Sequence, residues 1–168
     1  MKKVVFLDRD GVINKNRDDY VKSIDELEIF SFISEPIKKL RLNNFLVIVI
    51  SNQSAINRKL TTHKKVEQIH QKIQDYLKKN NTLIDAFYYC PHKPNENCNC
   101  RKPKVGLLLE AINRFDIEPK KSWFLGDMDT DMDTGKSIGC SVIKIDKNLN
   151  LEKAVKIILN NEISNKHS

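Results

Sequence analysis

Asp8 and Asp10 stand two residues apart at the end of an apolar run, Val4-Val5-Phe6-Leu7, and Gly11 follows them directly. Side chains alternate along a strand, so two acids at this spacing project to the same side of its exit. Gly11 lets the backbone turn sharply beyond them. Two short carboxylates held together suit a divalent cation with oxygen ligands, Mg²⁺ above all. They also permit a division of labour: one ionised aspartate attacks phosphorus while its neighbour donates and later accepts a proton. A polar turn after a strand is the simpler reading of the same residues, and this motif alone leaves both open.

Two distant stretches favour the chemical reading. Leu125-Gly126-Asp127-Met128-Asp129-Thr130-Asp131 again puts acids after an apolar run, and Ser51-Asn52-Gln53-Ser54 puts small hydrogen-bonding groups after another. In a parallel sheet, strand ends of this kind meet at the carboxyl edge. Their convergence on one pocket is therefore expected.

A further constellation is Cys90-x-His92-x5-Cys98-x-Cys100, four soft or borderline ligands within eleven residues. Three thiolates and one imidazole make a common tetrahedral zinc set, with no open position for catalysis. A disulfide accounts for neither His92 nor the third cysteine. Pro91, Pro94 and Pro103 stiffen the loop and lower the entropy lost on folding around a metal. Structural Zn²⁺ in the loop 90–103 is the expectation. Arg101 and Lys102 follow the last ligand directly, so the metal would fix the direction of both cations. Cys140 reads as a small buried residue, Trp123 as core, and His63, His70 and His167 as residues without catalytic roles.

The elements that must position these groups alternate. Apolar runs at 4–7, 45–50, 86–89, 123–125 and 142–145 suit strands buried in a parallel sheet. Helical periods lie between them: one capped by Ser34 with Pro36 in its first turn, then 62–79, 105–115 and 151–159, with a frayed tail over 160–168. The pattern predicts an α/β fold, a Rossmann-like parallel sheet flanked by helices, as a single domain over 1–168 with no large cap domain and one small zinc-bound loop.

Composition narrows the class. The 168 residues are 40% hydrophobic and 30% charged, which fits a globular domain with a sizeable core and excludes wholesale disorder. No apolar run is long enough to cross a bilayer, and the first residues do not form a secretory leader, so a cytoplasmic location is expected. Twenty-nine Lys and Arg against 22 Asp and Glu give +7, which favours anionic partners. The basic residues are scattered and no aromatic-plus-basic stripe accompanies them, which argues against nucleic acid. A small phosphorylated metabolite is the expected partner, and the expected state is a monomer.

Taken together in chain order, these motifs resemble the haloacid dehalogenase-like phosphatase superfamily over nearly the whole chain. Asp8-Arg9-Asp10-Gly11-Val12-Ile13-Asn14, Ser51-Asn52-Gln53-Ser54, and Cys90-Pro91-His92 followed by Cys98-Asn99-Cys100-Arg101-Lys102-Pro103 resemble its branch of D-glycero-D-manno-heptose 1,7-bisphosphate phosphatases and histidinol phosphatases. The resemblance implies that Asp8 is the nucleophile of an aspartyl-phosphate and Asp10 the general acid and base. It implies Mg²⁺ held by Asp8, the backbone carbonyl of Asp10, and Asp127; whether Asp131 joins that shell is open. Ser51 would hydrogen-bond the transferring phosphoryl group, Lys102 would neutralise it, and Arg101 would aid recognition. A carboxylate approaching an anionic phosphate needs such positive charge to offset repulsion. Asp10 must carry a proton near neutrality, so a raised pKa is expected there.

Substrate choice rests on finer features. Asp19-Tyr20-Val21 and Asn52-Gln53-Ser54-Ala55-Ile56-Asn57-Arg58 look more like the heptose bisphosphate enzymes, with Arg58 placed to hold a second phosphate or sugar hydroxyls. The gap between His92 and Cys98 resembles the histidinol phosphatases as much. Ala55 and Lys59 stand where heptose members usually have glycines, and Met128 where a basic residue is frequent. The reading is a Mg²⁺-dependent phosphatase of a small sugar phosphate, with histidinol phosphate as the alternative substrate. A nucleic-acid 3′-end phosphatase or a phosphate-binding module remains as a different class.

Overall fold

In the computed structural model, which describes residues 1–166, β1 (Lys3–Leu7) is the middle strand of a five-stranded parallel sheet. On one side lie β2 (Phe45–Asn52) and the edge strand β3 (Ala86–Cys90), and on the other β4 (Trp123–Gly126) and the edge strand β5 (Ser141–Lys144). The order is thus β3-β2-β1-β4-β5. Leu7 pairs with Val49 of β2 and Leu125 of β4, so β2 runs three residues beyond the end of β1 and β4 one. The chain builds outward from β1 in one direction, then returns to build outward in the other. Between β1 and β4 the loops that leave the sheet diverge, and the crevice that opens there is where such sheets bind ligands.

Strand residues alternate between two cores. Val5, Leu7, Val47, Val49 and Leu125 pack on one face, under α1 (Ser34–Leu42), α2 (His63–Lys79) and α5 (Leu151–Lys166). Val4, Phe6, Ile48, Ile50 and Phe124 pack on the other, against Leu107, Leu108 and Ala111 of α3 (Gly106–Phe115). α4 (Asp129–Ser137) covers β4 and β5. Each fully buried Val, Leu, Ile or Phe contributes about 1.5–3 kcal/mol of transfer free energy, which is why runs apolar on both faces become central strands.

Some expectations are corrected. Ser34 is the first residue of α1 rather than its cap; Ile33 holds the cap position with no side-chain bond, and Pro36 sits in the first turn as expected. α5 continues to Lys166, through most of the tail expected to fray, and positions 167–168 lie outside the described residues. α4 has too few apolar residues to show a helical period in sequence. Thr62 does cap α2, accepting from the Lys65 N–H. The long segment between β1 and α1 holds one short 3₁₀ turn, Ile24–Glu26, with no inserted cap. Among the described residues, no helix is long and apolar enough to cross a membrane.

Candidate active site

β1 delivers Asp8 and Asp10 to the carboxyl edge, and a tight knot of backbone bonds holds them there. Asp8 N–H donates to Leu125 O, Ile13 N–H to Arg9 O and Gly11 N–H to Asn14 O. Gly11 has φ +84°, and a Cβ at that position would lie 2.3 Å from Asp127 Oδ2. Only glycine lets this turn and the carboxylate after β4 approach so closely. β4 supplies Asp127, and the first turn of α4 supplies Asp131, whose Oδ2 accepts the Met128 N–H at 3.1 Å.

Asp8, Asp127 and Asp131 each offer a carboxylate oxygen, all within 4.8 Å of one another. One cation from the chain sits among them: Lys102 Nζ lies 3.0 Å from Asp8 Oδ1 and 2.6 Å from Asp131 Oδ1. The ammonium also donates to Ile50 O at 2.8 Å and is almost completely buried. Burial opposes its charge, but Asp8 and Asp131 hold its pKa above the ordinary lysine value. Three carboxylates, two buried and one half-buried, against one lysine leave a surplus of negative charge, and an all-oxygen set of this kind fits a Mg²⁺ ion.

The electrostatics correct one expectation. Asp8, rather than Asp10, carries the raised carboxyl: burial pushes it up, Lys102 pulls it down, Asp131 and Asp10 push it up, and it settles at about 7. Burial pushes Asp10 up as well, but Arg9, Asn14 and Gln53 more than offset this and hold it below the ordinary value. Oδ1 of Asp10 accepts from Arg9 Nη2 and Asn14 Nδ2, both at 2.9 Å, and Oδ2 accepts from Gln53 Nε2 at 2.9 Å. The Asp10 carboxylate is accordingly not part of the oxygen cluster; Asp131 takes that place. Asp127 is raised by burial and by Asp131.

The other expected residues divide. Ser51 is fully buried, accepts from Gln53 Nε2 at 3.3 Å and does not line the cavity. Asn52 is spent on the backbone of Lys102, accepting its N–H at 3.0 Å and donating to its carbonyl at 3.2 Å. Asn52, Gln53, Ser54, Arg58, Arg101 and Lys102 line a cavity of about 420 Å³ together with Asp8, Asp10 and Asp127. Arg17 and Tyr20, from the segment after β1, form its opposite wall, and the exposed Met128 stands at its rim. Two residues that touch this chemistry had no role assigned from sequence, Asn14 and the fully buried Arg9, while Asp131, left open there, joins the oxygen cluster. Asp131 had a signal, four residues after Asp127 at helical spacing; Arg9 had none.

Beside the cavity, Cys90, His92, Cys98 and Cys100 bring four ligand atoms within 4.8 Å of one another. His92 turns Nδ1 toward the sulfurs, 3.3 Å from Cys90 and 3.2 Å from Cys100, and the Cys90 and Cys98 sulfurs are 3.8 Å apart. Two thiolates about 2.3 Å from a tetrahedral zinc are separated by nearly that last distance, whereas the Cys90 and Cys100 sulfurs, 2.9 Å apart, would have to spread to share one. All four cysteines are free. Burial, with the Cys100 hydrogen bond, pushes the Cys90 thiol well up, and a divalent cation would offset that cost. The loop also braces its neighbours: Arg101 Nη1 donates to His92 O at 3.0 Å, and Asn57 Nδ2 donates to Glu96 Oε1 and Oε2 at 3.1 Å each.

A family model described as polynucleotide kinase 3 phosphatase matches residues 3–156. A D-glycero-beta-D-manno-heptose-1,7-bisphosphate 7-phosphatase of Neisseria meningitidis is 36% identical, covering 82% of this chain and 73% of its own length. The crystal structure of a D,D-heptose 1,7-bisphosphate phosphatase from B. bronchiseptica, complexed with magnesium and phosphate, superposes with a TM-score of 0.85 at 27% identity, covering 96% of this chain and 99% of that one. The chain belongs to the haloacid dehalogenase-like phosphatases. A bifunctional histidine-biosynthesis protein of Legionella pneumophila is 32% identical over 95% of this chain, which spans 46% of that larger protein. As a haloacid dehalogenase-like phosphatase, the chain is a hydrolase of phosphate esters, and its fold class and principal motifs are those expected from sequence.

Proposed function

We propose that this phosphatase removes one phosphate from a small sugar bisphosphate, D-glycero-D-manno-heptose 1,7-bisphosphate being the foremost choice, by way of an aspartyl-phosphate on Asp8. The observation that carries the reading is the meeting of Asp8, Asp127, Asp131 and Lys102 at one point, with Asp10 alongside on the same cavity. The ionised Asp8 attacks phosphorus, the bond from phosphorus to the ester oxygen breaks, and Asp10, ionised in the free enzyme and protonated once the anionic phosphate lies against it, supplies the proton that the departing oxygen needs. Water then attacks the phosphoryl-aspartate, Asp10 takes its proton, and Asp8 is released with inorganic phosphate. Lys102 neutralises charge on Asp8 and on the transferring group throughout. Mg²⁺, held by Asp8, Asp127, Asp131 and the Asp10 carbonyl, would supply Lewis-acid stabilisation of the phosphoryl oxygens.

Two features favour a bisphosphate. Arg58 and Arg101 line the same cavity as the catalytic acids, and Arg17 faces them from the segment after β1. Three guanidinium groups lining one cavity of about 420 Å³ suit a compact ligand that carries more than one anionic group. Zn²⁺ held by Cys90, His92, Cys98 and Cys100 is the structural cofactor in this reading, keeping Arg101 and Lys102 in place.

The test is a Mg²⁺-dependent screen across sugar mono- and bisphosphates, histidinol phosphate and 3′-phosphorylated oligonucleotides. Preference for a sugar bisphosphate is expected. Selective turnover of histidinol phosphate would replace the substrate proposed, and salt-sensitive turnover of the oligonucleotide would move the enzyme to nucleic-acid end processing. Asp8→Asn should abolish every activity while leaving the fold intact. Metal analysis of protein purified without chelator should find one zinc per chain; none, with all thiols reduced, removes the structural zinc.

A further inference from the structure

Arg9 is one of the largest fully buried side chains of the molecule, with no exposed surface at all. Position 9 follows Val5 and Leu7 in the strand's period of two, on the side that faces the core under α2. An apolar residue would be the inexpensive occupant. Taking a guanidinium out of water costs several kcal/mol, and a buried ion pair can often be replaced by apolar residues of like volume without loss of stability. Stability therefore does not explain the arginine.

What the arginine does touch is specific. Nη2 donates to Asp10 Oδ1 at 2.9 Å, while Nε and Nη1 have no hydrogen-bond partner among the described residues. Asp10 is thus its one ion pair among them. Asn14 Nδ2 donates to the same oxygen, also at 2.9 Å, and an isolated bridge pairs Asp10 with Asn14 along the backbone. Gln53 Nε2 holds the other oxygen. A carboxylate bound at both oxygens by donors from β1's exit, the following turn and the loop after β2 cannot rotate about its last bond. Yet it still reaches the cavity, its side chain being 21% exposed. His70 completes the environment: it is buried against Phe87, stacked at 4.6 Å, and Arg9 helps to keep it uncharged. Among the described residues the guanidinium has no competing carboxylate to draw it away.

We propose that Arg9 is a positioning residue that fixes the Asp10 carboxylate in the orientation from which it passes a proton to the leaving oxygen. The inference rests on Asp10 serving as general acid. It predicts an effect graded by the leaving group, because an alkoxide needs that proton and a nitrophenolate does not.

The experiment compares kcat/KM for a sugar phosphate with kcat/KM for p-nitrophenyl phosphate, which reports the first phosphoryl transfer in each case. Arg9→Met should lower the sugar-phosphate value about 100-fold, the lower end of what a general acid supplies, and the aryl value less than about 5-fold. Its melting temperature should fall, because the substitution leaves the Asp10 carboxylate without its cation, but the folded variant should still show the difference between the two substrates. Arg9→Lys, which keeps a buried cation without the rigid fork, should fall between the two. Equal losses on both substrates, no loss on either, or failure of both variants to fold would overturn the proposal. Asp10→Asn separates it from its premise. If that variant shows no leaving-group selectivity, the acid is not Asp10; if it does and Arg9→Met does not, Arg9 alone is misassigned.

Discussion

The Nζ of Lys102 lies 2.6 Å from Oδ1 of Asp131, with side chains 2% and 1% exposed. Such a pair, out of reach of water, is held by mutual need. Lys102→Met leaves Asp8 and Asp131 facing each other without a counter-charge. The variant should lose about 3 kcal/mol of stability in chemical denaturation, the low end for breaking a buried pair, and turnover should fall at least about 100-fold. Asp131→Asn leaves Lys102 paired with Asp8 and should cost less stability. An unchanged denaturation midpoint for Lys102→Met would show that the pair contributes nothing.

Gly126 is where β4 hands over to the acidic turn. A Cβ there would lie 2.2 Å from Asp131 Oδ2 and 2.4 Å from Asp131 Cβ. Gly126→Ala should push Asp131 off Lys102, cut turnover by at least about 10-fold and raise the Mg²⁺ concentration needed for half-maximal rate. Gly139→Ala is the contrasting substitution. Its φ is +85° with nothing within 4 Å, so it should cost about 1–2 kcal/mol of stability and leave the rate unchanged. Equal activity in the two variants would remove the steric argument.

His70 gives stability a pH dependence of known sign. Burial, then the Arg9 charge, pushes its pKa down from 6.5 to about 3. Between these values the unfolded chain binds a proton that the folded protein refuses, so the contribution is complete above pH 6.5 and is lost as pH falls toward 3. His70→Gln should flatten the stability profile across that window by up to about 1.4 kcal/mol per pH unit relative to the wild type. Parallel profiles for the two proteins would mean that His70 titrates normally.

Glu96 ties two substrate loops together, accepting from Asn57 Nδ2 and from the Lys93 N–H at 2.5 Å. Arg58 is the next residue after Asn57 and lines the cavity. Glu96→Ala frees the loop without touching the carboxylates. KM should rise about 3- to 10-fold while kcat stays within about 2-fold, the pattern of lost binding contacts. A fall in kcat at unchanged KM would contradict the bracing role.

Strands were legible because burial on both faces forces continuous apolar runs, and each of the five lies where its run does. The gathering of Cys90, His92, Cys98 and Cys100 was legible too, since they lie close along the chain. α4 was not: its buried residues include Asp131, Thr134 and Gly135, which carry no apolar period, and packing on β4 and β5 holds it. His70 read as a bystander because a helix position alone does not reveal that Phe87 and Arg9 surround it.

Residue type and order along the chain were enough to specify the chemistry: which acids, which lysine and which ligands are available, and that strand exits must gather them. Only the folded arrangement decided how each acid is charged and which of them cluster. Charge interactions fall off with distance and grow with burial, so the pKa of Asp8 depends on Lys102 and Asp131, more than ninety residues away in sequence. For the same reason Asp10 owes its ionised, immobilised state to Arg9, Asn14 and Gln53, and Asp131 rather than the Asp10 side chain joins the oxygen cluster.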